Sequence, residues 1–178
     1  MLARADEPKG DTMAGRITHS EAQLRPDPKY GDKVVAKFIN CIMLDGRKTS
    51  AQRVVYDAFE EIDKRLVGNE EAEAEGIKDG RDIFQRAITN VKPFLEVRSK
   101  RIGGANYQVP MQVPANRQQA LAFRWIINAV RSEKGRSTHL KLADELWAAS
   151  RNEGKAMNTR DQTHRMAEAN KAFAHFAR

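Results

Sequence analysis

Arg98, Lys100 and Arg101 stand within four residues of one another, Arg117 and Arg124 follow, and between Phe94 and Arg124 the one acid is Glu96. Side chains of this kind suit one sort of chemistry, the holding of phosphate. Clustered Lys and Arg repel one another unless a polyanion neutralises them, so the segment points to a nucleic-acid partner. A guanidinium can pair with two phosphate oxygens or stack on a base, whereas an ammonium acts as a point charge. Arg98, Arg101, Arg117 and Arg124 are therefore expected to dominate.

The elements that position these residues are legible in the spacing. From Leu95 to Val113 apolar residues alternate, at Leu95 and Val97 and then at Tyr107, Val109, Met111 and Val113, which is the period of a strand. Gly103 and Gly104 at the midpoint supply the backbone freedom of a reversal, so the segment at about 94–114 reads as a β-hairpin with its tip at IGGAN. Pro110 fits a two-stranded ribbon with an open edge. Arg98 and Lys100 fall on one face of it, Ser99 and Arg101 on the other. Asn116 is the expected N-cap of a helix to about Glu133, on which Arg117, Arg124 and Arg131 recur every seven residues and share a stripe.

The remaining elements are helical. Asp32 caps a helix to about Leu44, with Val34, Val35, Phe38, Ile39, Ile42 and Met43 as its apolar stripe. Ser50 is the expected cap of a second helix to about Leu66, Asp82 to Val91 form a third, and Ser137 or Thr138 starts another that stops near Gly154. Thr159 with Gln162 has the capping-box pattern for the last, ending at Phe173 and Phe176. The fold class is thus mainly α, a single domain of about six helices over 32–178 with a protruding two-stranded β-hairpin. Residues 1–31, rich in Pro and Gly and poor in apolar side chains, read as a flexible arm.

Composition agrees with a basic binding face. The net charge is +7 and the isoelectric point about 9.7. It is unevenly spread: Asp57 to Gly80 holds nine acids against three bases, and Arg81 to Thr138 eleven bases against three acids. Apolar residues lie in helical spacing, with no run near the roughly 20 that cross a bilayer. The first twelve residues carry acids and no apolar run, so no signal or transit peptide is expected, and Met13 is a candidate start.

Other chemistry finds little support. Cys41, in VVAKFINCIML, reads as a buried core thiol, and a single cysteine offers no disulfide framework, as in a reducing compartment. His164 and Glu168, four apart on a helix, make half a metal site, and nothing completes it. Metal and cofactor are expected to be none. Tyr107 and Trp125 read as packing residues before base-stacking ones, and Gly103 and Gly104 lack the spacing of a phosphate-binding loop.

PDPKYGD at 26–32, VAKFIN at 35–40, VKPFLEVRSKRIGGANYQVP at 91–110 and HRMAEANKAFAH at 164–175 resemble, in order, the motifs of the ribosomal protein S7 family, in its bacterial form. The resemblance extends from about Arg25 onward. It implies a structural, non-enzymatic protein of the cytoplasmic small ribosomal subunit that binds the 3′ major (head) domain of its rRNA and nucleates head assembly. Exit-site tRNA, mRNA and neighbouring head proteins would lie near it; no membrane or small-molecule substrate is implied. The implied RNA contacts fall on Lys29, Arg98, Lys100, Arg101, Gly103, Gly104, Arg117, Arg124 and Arg131. Duplex RNA hides base edges in a deep groove, so shape, phosphate and 2′-hydroxyl contacts are the expected mode. The acidic segment GNEEAEAEGIKDG is longer than usual for the family and is expected to face away from RNA. The alternative is a helix-turn-helix DNA-binding regulator, which would need a polar recognition helix; none stands out, and the ribbon would go unexplained.

Overall fold

The computed structural model describes residues 24–67 and 76–177, so most of the expected arm and the centre of the acidic segment lie outside the described residues. Among the described residues six α-helices, one two-stranded sheet and a 3₁₀ helix follow one another. They are α1 (Lys33–Ile42), α2 (Lys48–Leu66), α3 (Gly80–Val91), β1 (Leu95–Ile102), β2 (Ala105–Gln112), α4 (Ala115–Ser132), α5 (Thr138–Ser150), α6 (Lys155–Ala169) and the 3₁₀ helix Lys171–Ala177. The class is mainly α, as the spacing predicts.

One hydrophobic cluster draws side chains from all six α-helices. At its centre Phe38 of α1 meets Phe84 of α3 and Phe123 of α4 edge to face, with ring centroids 5.2 and 5.3 Å apart. Phe59 of α2 reaches Phe84 at 5.4 Å. Such pairs contribute about 0.5–1.5 kcal/mol each beyond the burial of their area. Four helices are thereby held around one aromatic knot.

Helix ends show where local pattern succeeds and where it fails. Asp32 caps α1 as expected, its carboxylate accepting from the Val34 N–H at 2.7 Å. Ser137 occupies the N-cap position of α5. The other starts lie earlier than their polar residues suggest. Helix α2 begins at Lys48 and α3 at Gly80. At Gly80 a Cβ would sit 2.8 Å from the Phe59 carbonyl oxygen, so this glycine permits the close approach of α3 to α2. Pro114, with its φ of −64°, opens α4, which leaves Asn116 inside the first turn. Helix α6 starts at Lys155 after Gly154, whose φ is +99°. Glu145 of α5 serves its first turn by accepting from the buried Ala156 N–H at 2.7 Å. Thr159 is therefore mid-helix, its hydroxyl donating to the Lys155 carbonyl.

Cys41 departs from the expected burial and is exposed. The buried stripe of α1 runs through Val35, Phe38, Ile39 and Ile42, and at 100° per residue position 41 lies about 110° from the stripe's centre.

The ribbon forms where the alternation predicts it, with its tip at the expected Gly pair. Leu95 pairs with Gln112 and Ile102 with Ala105, leaving Gly103 and Gly104 as a two-residue loop. Their φ values are +57° and +91°, the left-handed pair that a tight hairpin of matching twist requires.

Candidate nucleic-acid interface

Lys29 lies in a turn docked on α2. Asp27, buried, accepts from the N–H groups of Lys29 and Tyr30 at 3.1 Å and from the Tyr56 hydroxyl at 2.7 Å. The Lys29 ammonium pairs with Glu60 at 2.8 Å and sits 5.5 and 5.2 Å from the ring centroids of Tyr30 and Tyr56. The hydrogen bond to Glu60 raises its pKa, while burial and then the Asp27 bond push the Tyr56 phenol up to about 12. Lys29 is thus a charge already answered within the protein. No described contact links it to the ribbon.

On the ribbon, pairing places Arg98 opposite Val109 and Lys100 opposite Tyr107, so all four side chains share a face. That face is used internally. Tyr107 packs on Phe173 and Phe176 of the 3₁₀ helix at 5.3 and 5.5 Å, and Lys100 donates to the Phe176 carbonyl at 2.8 Å. Arg98 donates to Glu96 at 2.6 Å. Arg101 lies on the opposite face, exposed beside the glycine loop, and pairs with no carboxylate among the described residues.

Helix α4 meets the ribbon at its base. Arg117 Nε donates to both oxygens of Glu96, at 2.8 and 2.7 Å, and so joins the first turn of the helix to the strand that carries Arg98. Arg124, two turns on and about 10 Å along the axis, is exposed and without an ion pair among the described residues. Arg131, as far again, donates to the Ile42 carbonyl at 3.2 Å. A cation there also complements the partial negative charge at the end of α1. The arginine stripe is therefore continuous and exposed, pinned at both ends and open in the middle.

Two contacts were not foreseen from the sequence. Glu96 is the joint between strand and helix, and its isolation among bases is the signal that could have identified it. His164 of α6 accepts from the Phe94 N–H through Nε2 at 3.2 Å, fixing the entry to β1. Burial and then Arg160 hold its imidazole below its ordinary value. Among the described residues no group of three or more His, Cys, Asp or Glu side chains could hold a metal ion, and no helix is long and apolar enough to cross a membrane. Trp125 is half-buried against the core. Beside the ribbon base, Phe94, Leu95, Pro110, Met111, His164 and Lys171 border an open groove of about 820 Å³.

Comparison with known proteins gives one consistent result. The profile of the family described as Ribosomal protein S7p/S5e matches residues 14–171. A protein of Rhodopirellula baltica named small ribosomal subunit protein uS7 is 60% identical over 163 residues, covering 92% of this chain and 99% of its own. Proteins of the same name from Nautilia profundicola and Thermotoga neapolitana are 52% and 50% identical over 153 and 154 residues, covering 86% of this chain and 92% and 93% of theirs.

Proposed function

The chain belongs to the ribosomal protein S7p/S5e family, with a structural and non-enzymatic role in the small ribosomal subunit, and on that premise we propose that it is a primary binder of the 3′ major domain of small-subunit rRNA. Binding there nucleates assembly of the head, with the ribbon tip directed toward exit-site tRNA and the mRNA path and with other head proteins as neighbours. The observation that carries this reading is the junction of ribbon and helix, where Arg98 and Arg117 meet at one carboxylate and the exposed stripe continues through Arg124. Two basic elements of different shape are thereby presented as one surface.

Within it Arg98, Arg101, Arg117 and Arg124 are the principal phosphate contacts. Gly103 and Gly104 let the RNA backbone approach the tip closely. Lys100 and Arg131, tied to backbone carbonyls, add charge to the edges, and Lys29 contributes mainly by shaping its turn. The work is thermodynamic: phosphate neutralisation offsets the cost of holding several RNA helices in one arrangement. Family membership leaves the DNA-regulator alternative without an observation in its favour.

Footprinting of the purified protein on small-subunit rRNA tests the proposal. Protection confined to the 3′ major domain is expected. Protection elsewhere, with that domain left reactive, would overturn it.

A further inference from the structure

Glu96 presents a contradiction to simple electrostatics. An acid in the middle of a phosphate-binding surface repels the ligand, yet this one is 7% exposed and lies where both basic elements converge. Its Oε1 accepts from Arg98 Nε at 2.6 Å and from Arg117 Nε at 2.8 Å, and its Oε2 from Arg117 Nε at 2.7 Å. Both arginine side chains remain about half exposed, at 49% and 44%. The bonds engage the inner nitrogen of each guanidinium. The terminal amino groups, the fork that matches two phosphate oxygens, have no other partner among the described residues.

We propose that Glu96 is a positioning residue for RNA binding, one carboxylate that sets two arginines in a phosphate-ready orientation before RNA arrives. The proposal rests on the reading of this surface as an rRNA interface. Free arginines have many rotamers, and immobilising each on binding weakens affinity. Glu96 moves that ordering into the folded protein, and it couples the two arginines although one stands on a strand and the other on a helix. The triad keeps a net positive charge, so the surface still attracts phosphate.

The test measures affinity for a 3′ major domain RNA fragment at fixed salt. Charge alone predicts that Glu96→Gln, which removes a negative group, binds tighter. Positioning predicts the opposite sign, about tenfold weaker binding. In an Arg98→Ala, Arg117→Ala background the same Glu96→Gln change should no longer weaken binding, because the groups it orients are gone. A merely structural defect would persist in that background. Should Glu96→Gln fail to fold by circular dichroism, Glu96→Asp keeps the charge but is one methylene too short to bridge both arginines, and is expected to weaken binding likewise. Unchanged or tighter binding by a folded Glu96 variant, or a loss that persists without the two arginines, overturns the proposal. Failure of the unsubstituted protein to bind the fragment would instead overturn the rRNA reading itself.

Discussion

Asp27, Glu96 and Glu145 are buried carboxylates, and each gathers donors from a distant part of the chain: Tyr56, Arg117 and Ala156 respectively. A carboxylate removed from water is tolerated only when its oxygens are so engaged. Glu145 gives the clearest residue-level prediction. Glu145→Ala leaves the buried Ala156 N–H without its acceptor at the first turn of α6 and should cost about 1–3 kcal/mol in urea denaturation. Glu145→Gln, which keeps the acceptor oxygen, should lose less. Partners separated by 11 to 29 residues leave no local pattern. For that reason the basic residues of the surface could be read from the sequence, but the distant donors that these three carboxylates gather could not.

At the scale of elements the ribbon was the most legible part, because alternation and a Gly pair are properties of adjacent residues. Helix interiors were legible too, through the three- and four-residue recurrence of their apolar positions. Helix starts were less so: Asn116 and Thr159 have capping chemistry, but Pro114 preset the entry to α4, and Gly154 with Glu145 set that to α6. The tie between α6 and the ribbon carries a pH prediction. His164 must be neutral at Nε2 to accept from Phe94, and its pKa is lowered from 6.5 in the fold. The unfolded chain therefore takes the proton first as pH falls. This contribution to stability is present above about pH 6.5 and is lost as pH falls through the lower folded value. Urea midpoints between about pH 7 and pH 5.5 should decline for the unsubstituted protein. His164→Gln should flatten that decline, and an identical pH dependence in the variant would rule His164 out as its source.

At the scale of the whole molecule, the described charges divide between groups answered inside the protein and groups without an ion pair among the described residues. Lys29 belongs to the first kind through Glu60, and Arg101 and Arg124 to the second. Arg101→Ala and Arg124→Ala should each reduce the magnitude of the log-log salt slope of rRNA binding by about 0.7–0.9, as expected for one lost phosphate contact. Lys29→Ala should change it much less. Equal effects at all three sites would mean that the internal pairing has no bearing on binding. The contact of Lys100 and Tyr107 with the 3₁₀ helix has a mechanical meaning as well. A hairpin anchored only at its root would swing as a cantilever along its full length. With a prop at this point, the unsupported part shrinks to about two residues per strand and the glycine loop, roughly 7 Å of reach. The free tip is then short, and the 3₁₀ helix, by its contacts with Lys100 and Tyr107, sets its aim.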